Sequence, residues 1–96
     1  MILRLSDNTE LIVTNASEYY RRGDRRFETN IREKMTLQEV KDLFSETNMK
    51  TMTLIDDNQK EVVLTGYKSI LSITIDYDDV DLLESNLKII LTEAEL

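Results

Sequence analysis

The chain has 96 residues, of which 41% are hydrophobic and 32% charged, and its formal net charge is -7. This length and balance predict one folded domain, residues 1–96, rather than a disordered chain. The chain contains no histidine and no cysteine, which excludes Ser-His-Asp and thiolate catalysis, Cys/His zinc sites and disulfides. Its longest apolar run is three residues, and we expect neither a membrane span nor a secretory signal, and therefore synthesis in the cytoplasm.

The first predicted elements are two short strands, residues 2–5 and 10–14, joined by a polar reversal. The four residues between them, Ser-Asp-Asn-Thr, favour tight turns, and the pattern predicts an N-terminal hairpin. Residues 15–26 have no clean period and contain a Gly-Asp pair, which indicates an exposed loop or the tip of an extended β-ribbon. Residues 27–31 alternate apolar and polar side chains and predict a half-buried strand.

A helix is predicted over about residues 37–45. Thr36 and Glu39 have the spacing of a capping box, in which each side chain bonds a free backbone N–H near the other. The apolar residues at helical spacing are Leu37, Val40, Leu43 and Phe44. We expect this face to pack on a sheet, and we expect Asn48 to end the segment in a left-handed conformation.

The rest of the chain is predicted to be β. Residues 51–55 and 61–67 flank a polar hairpin loop, and Gly66 in the second strand indicates a bulge or a close backbone approach. From residue 69 onward, one face of a strand is formed by Leu71, Ile73, Ile75 and Tyr77. An acidic connection, residues 78–86, precedes a last strand at 87–92. The order predicts an α+β fold, mainly antiparallel β in a curved sheet or small sandwich or barrel, with one short helix.

Charge is distributed unevenly along the chain. Residues 21–34 hold six of the twelve basic residues and three acidic ones, a local net charge of +3. Residues 76–96 hold seven acidic residues and one basic one, a local net charge of -6. The sequence therefore predicts a basic patch and an acidic end on one small domain.

The candidate functional residues are the basic and aromatic side chains around the Gly-Asp pair: Tyr19, Tyr20, Arg21, Arg22, Arg25 and Arg26. Arginine and tyrosine anchor protein interfaces, and we interpret the cluster as a protein-contact surface. Two alternatives remain open, an inert solvated turn and a platform for single-stranded nucleic acid. The net charge of -7 ranks nucleic acid last, and we expect no nucleic-acid partner.

Residues 76–81 suggest a calcium loop, because clustered carboxylates are ligands for hard cations. Its acidic residues are Asp76, Asp78, Asp79 and Asp81. The spacing does not fit an EF-hand, since a loop that begins at Asp76 has Val80 at its fifth position and no glycine at its sixth. We therefore predict no metal site, no cofactor and no catalytic residues, and expect that the protein is not an enzyme.

Three parts of the chain resemble small structural proteins encoded among the tail and baseplate genes of tailed phages and prophages of Gram-positive bacteria. They are the N-terminal hairpin leading into Asn15-Ala16-Ser17, the stretch Thr36–Phe44 with Thr53–Asp57 after it, and Thr65-Gly66-Tyr67. The resemblance is one of layout and carries no functional residues with it. It implies a non-enzymatic protein that acts by assembly and is located in the virion after synthesis in the bacterial cytoplasm.

These observations together predict a structural assembly protein, a component of a phage or prophage tail or baseplate, that acts through protein–protein contacts. Its partners would be further copies of itself, other tail proteins, or both. If the acidic end of a second copy received the basic patch, the contact would be head-to-tail and would generate a ring or an open stack. The alternative is a small cytoplasmic protein-binding or regulatory domain.

Overall fold

The part of the chain that the structure describes forms one antiparallel sheet of seven strands and a short helix. A computed structural model describes residues 1–76 and 86–96. The elements in chain order are β1 (Ile2–Arg4), β2 (Glu10–Arg21), β3 (Asp24–Ile31), α1 (Leu37–Leu43), β4 (Thr51–Ile55), β5 (Glu61–Thr65), β6 (Ser69–Asp76) and β7 (Asn86–Thr92). The α+β class and this element order confirm the fold expected from the sequence. None of the described residues form a helix long and apolar enough to cross a membrane.

The sheet is strongly curved. Its strand order is β5-β4-β1-β2-β3-β7-β6, so β5 and β6 lie at opposite edges. A flat sheet would separate these edges by about 29 Å, six spacings of about 4.8 Å. The connection from Thr65 to Ser69 is three residues long and reaches at most about 14 Å. The sheet must therefore curl back on itself, and its concave side encloses the core.

A bulge in β2 marks the bend between the two halves of the sheet. The pairing of β2 with β3 shifts between Thr14 and Ser17, so two residues of β2 face Thr29 alone. Asn15 at this point has a φ of 54°, a left-handed conformation that asparagine tolerates better than most residues. Residues 10–12 of β2 pair with β1, whereas residues 13–14 before the bulge and 17–21 after it pair with β3. β2 thus belongs to both halves of the sheet.

Two of the hairpins use the same three-residue loop. In the first, Leu5 N–H donates to Thr9 O at 2.9 Å and Asn8 has a φ of 71°. In the second, Asp56 N–H donates to Lys60 O at 3.0 Å and Gln59 has a φ of 64°. Each is a type I turn followed by one left-handed residue. The N-terminal hairpin predicted from the sequence is confirmed.

The helix begins as the sequence predicts and ends differently. Thr36 Oγ1 accepts from Glu39 N–H at 3.1 Å, and Glu39 Oε1 accepts from Thr36 N–H at 3.3 Å, which completes the capping box. Phe44, with a φ of -94°, closes the helix. The expectation of a left-handed Asn48 is wrong. Its side chain instead caps the helix, because Nδ2 donates to Leu43 O at 2.7 Å.

The core is a continuous apolar cluster on the concave side of the sheet. Its buried residues are Leu3, Leu5, Leu11, Val13, Phe27, Ile31, Val40, Phe44, Met49, Met52, Leu64, Tyr67, Leu87, Ile89 and Leu91. The helix contributes Val40 and Phe44 to this cluster. Leu37 remains 43% exposed, so the apolar face that α1 packs against the sheet is narrower than predicted.

Two expectations for the second half of the chain need correction. The pairing of β6 with β7 shifts between Ile70 and Ser72, and this bulge places Ile70 with Ile73 and Ile75 against the core, not Leu71 as alternation alone predicted. Gly66 lies after β5 rather than inside it. Residues 77–85 are outside the described residues. They include Tyr77 and all but the last residue of the acidic connection predicted at 78–86.

Candidate protein-interaction surface

The candidate residues lie at the end of a two-stranded ribbon formed by β2 and β3. Arg21 pairs with Asp24 across the ribbon, so Arg22 and Gly23 alone form the turn. Both have positive φ, 54° and 78°, which is the signature of a type I′ turn. Of the two structures left open by the sequence, an exposed loop and a ribbon tip, the second is correct.

Three of the candidate side chains project from this end. Tyr20 is 73% exposed, and Arg21 and Arg22 are exposed on either side of the turn. None of the three makes a hydrogen bond or ion pair with another described residue. We call Tyr20, Arg21 and Arg22 the ribbon tip. Tyr19, one position earlier, is half-buried.

Arg25 is half-buried, and its guanidinium contacts groups from three parts of the chain. The group lies 4.7 Å from the centre of the Tyr67 ring, a cation–π distance. Its Nη1 is 3.8 Å from Glu18 Oε2 and its Nε is 3.5 Å from Glu93 Oε2. Its Nη2 donates to Thr65 O. Arg25 therefore joins the ribbon to the end of β5 and to the segment after β7.

Tyr67 forms the base of this cluster. It is 1% exposed, and its ring centre is 6.1 Å from that of Phe27. Its hydroxyl donates to Glu18 Oε2 at 2.6 Å. Burial, followed by the hydrogen bond to Glu18, raises the pKa of Tyr67 above the ordinary tyrosine range. The hydroxyl therefore stays protonated at neutral pH and is a donor to Glu18, not a base.

Arg26 is also engaged within the chain, on the other face of the ribbon. Its Nε donates to Asp24 Oδ2 at 3.1 Å, and the same oxygen accepts from Thr92 Oγ1 at 2.6 Å. The hydrogen bond from Thr92, with a smaller contribution from Arg26, lowers the pKa of Asp24. Asp24 thus fastens the start of β3 to the end of β7.

The structure divides five of the six predicted residues into two groups, and the sixth, Tyr19, is half-buried beside the tip. Tyr20, Arg21 and Arg22 face solvent at the tip, whereas Arg25 and Arg26 hold the ribbon in place. Sequence reasoning missed the residues that bind Arg25, which are Glu18, Thr65, Tyr67 and Glu93. No local signal identifies them, because they come from three separate parts of the chain and meet only in the folded sheet.

The expected separation of basic patch and acidic end holds only in part. Glu93 belongs to the acidic end, yet it contacts Arg25 and its Oε1 accepts from Arg25 N–H at 3.0 Å. Glu95 lies 3.4 Å from Lys68 Nζ. Both glutamates are therefore paired with cations of the same chain.

The described residues contain no group of three or more acidic side chains placed to hold a metal ion. The segment 77–85, which carries the clustered aspartates, is not among them, and Asp76 lies at its border. Comparison of the chain with protein-family models, curated proteins and solved structures finds no match.

Proposed function

We propose that this protein is a non-enzymatic assembly protein whose ribbon tip binds an acidic surface of a neighbouring protein. The setting we propose, a phage or prophage tail or baseplate, rests on the resemblance of its sequence to such proteins. The observation that carries the binding proposal is the ribbon tip, where an exposed tyrosine and two arginines stand without partners among the described residues.

The backbone conformation of Arg22 supports a role beyond making the turn. Its φ of 54° costs an L-residue about 1–2 kcal/mol relative to the right-handed region. Asparagine or glycine would occupy the same turn position with less strain. Strained positions of this kind cluster at functional sites, where a side chain is needed at that point. At Arg22 the strain is the cost of placing a guanidinium at the apex of the ribbon.

The anchoring of the ribbon also supports binding at its tip. Arg25 contacts Tyr67 and Glu93. Asp24 Oδ2 accepts from both Arg26 Nε and Thr92 Oγ1, so the tip is presented on a base that is tied to the rest of the sheet. A preorganised surface loses less conformational entropy when it binds. In a chain of net charge -7, two unpaired arginines at a projecting end also orient the molecule toward an acidic partner.

The test is a charge reversal confined to the tip, Arg21→Glu with Arg22→Glu. The matched control is Lys41→Glu with Lys50→Glu, two exposed lysines away from the tip, which changes the net charge by the same amount. Each variant is co-expressed with the products of the genes on either side of its own, and complexes are isolated through a tag on this chain. Circular dichroism checks that both variants fold.

The wild-type protein and the lysine control should retain a neighbouring protein, and the tip variant should lose it. The wild-type complex should also weaken by about tenfold between 50 mM and 500 mM salt, since the distance over which exposed charges are screened falls from about 14 Å to about 4 Å in that range. Retention of the same partner by the tip variant would mean that the tip is a solvated turn. Capture of a cytoplasmic regulator rather than a tail protein would favour the alternative function.

A further inference from the structure

The outer edge of β5 is the least protected edge of the sheet. β5 pairs with β4 on one side, and no described residue pairs with its other side. Its register with β4 runs from Glu61 to Thr65 without a bulge, whereas β6, at the opposite edge, carries one. Val62 and Val63 are 49% and 61% exposed. Natural edge strands are usually blunted by proline, bulges or lysines, and β5 has none of these within its bounds.

The hairpin that precedes β5 determines which backbone groups face outward. The bond from Asp56 N–H to Lys60 O makes this pair a hydrogen-bonded one, and such pairs alternate along an antiparallel ladder. Val62 and Leu64 therefore bond to β4, while the N–H and C=O groups of Glu61, Val63 and Thr65 point away from it. The Thr65 carbonyl is occupied by Arg25 Nη2, so Glu61 and Val63 hold the backbone groups that have no partner among the described residues.

We propose that β5 pairs antiparallel with β5 of a second copy about a two-fold axis at Val62. In this register Glu61 of each copy faces Val63 of the other, and the four free backbone groups of each strand meet their complements. Val62 faces Val62 across the axis as a non-hydrogen-bonded pair, the closer of the two antiparallel pairings. The pairing extends the sheet of each copy into one sheet shared by both.

A second copy fits this edge electrostatically as well. Residues 58–68 hold two lysines and one glutamate, a local net charge of +1 in a chain of net charge -7. Within this window two copies therefore carry little net charge toward each other. Lys60 faces Leu64 and Glu61 faces Val63 in the proposed register, so no like charges lie directly opposite. Two five-residue strands bury less area than a standard interface, and we expect a dissociation constant of about 10 µM or weaker.

This proposal deepens the assembly function by naming a second copy as one partner, but it rests on β5 and not on the ribbon tip. Sedimentation velocity on the wild-type chain should give a mass that rises from 11.2 kDa toward twice that value as concentration increases. Val63→Pro removes only an N–H that faces away from β4, and it should abolish the rise with the fold intact. Val63→Thr keeps that N–H and a β-branched side chain, and it should still dimerise.

Cysteine substitution tests the register itself, because the chain has no cysteine. In the proposed register, the Cα atoms of the two Val62 residues are about 4.5 Å apart, which is within the range for a disulfide. Oxidised glutathione should therefore link two copies of the Val62→Cys variant. Val63→Cys is the control, since its Cα atoms would lie about 8 Å apart and should not link.

The outcomes separate this inference from the proposed function. Arg21→Glu with Arg22→Glu should still dimerise through β5, and Val63→Pro should still bind a neighbouring protein through the tip. A wild-type mass of 11.2 kDa at every concentration up to about 1 mM, or an unchanged mass for Val63→Pro, would overturn the proposal. Linking at Val63 in place of Val62, or equally at both positions, would overturn the register.

Discussion

The two glycines of the chain allow the contribution of Arg25 to stability to be measured. Gly23 and Gly66 have similar positive φ values, 78° and 86°. A Cβ added at Gly23 meets no atom within 4 Å, whereas one added at Gly66 lies 2.7 Å from Arg25 Nη2. Alanine at either position must adopt a similar positive φ, but only at Gly66 does it also displace the arginine.

The expected costs follow from these contacts. Gly23→Ala should destabilise the fold by about 1 kcal/mol, the left-handed penalty less the entropy lost by the unfolded chain. Gly66→Ala carries the same cost and forces the guanidinium away from Thr65 O. The loss of that hydrogen bond and part of the cation–π contact with Tyr67 should add about 1–2 kcal/mol, a reduced figure because Arg25 is 25% exposed.

Urea unfolding followed by circular dichroism measures both variants, since the chain has no tryptophan. The difference between Gly66→Ala and Gly23→Ala should disappear when both are repeated in an Arg25→Ala background, because the displaced group is then absent. Equal costs in the wild-type background would refute the close approach at Gly66. A difference that persists without Arg25 would assign the extra cost to the backbone instead.

Three further expectations concern the helix, the pH dependence and the acidic segment. Phe44→Ala should lower the free energy of unfolding by about 3–5 kcal/mol, and Thr36→Ala by about 1 kcal/mol through the lost cap. Similar urea midpoints for the two would contradict the burial of Phe44. The pKa of Tyr67 is raised in the folded state. Its contribution to the free energy of unfolding is therefore intact below the ordinary tyrosine pKa of about 10 and declines as the pH rises above that value. In the Tyr67→Phe variant, the free energy of unfolding measured with urea should fall less between about pH 10 and 11 than it does in the wild type. Calcium should leave the melting temperature unchanged, and a clear rise would identify residues 76–81 as a cation site.

Local sequence determined the elements of this protein. The alternation at residues 27–31, the Thr36–Glu39 capping box and the polar reversals after residues 5 and 55 each act between neighbours in the chain. Strand period, helix capping and turn preference depend on such short-range contacts. The element order and the α+β class were therefore predictable, and so was the composition of the ribbon tip.

Only the tertiary structure decided which of the clustered arginines are free. Nothing in the local sequence distinguishes Arg21 and Arg22 from Arg25 and Arg26. The partial burial of the second pair depends on Tyr67, Glu93 and Thr92, which are 42 to 68 residues distant along the chain. The bulges of β2 and β6 had the same origin, because a register shift appears only when a strand meets its partner. The exposed edge of β5 likewise followed from strand order, since an edge exists only once the other strands have found their neighbours.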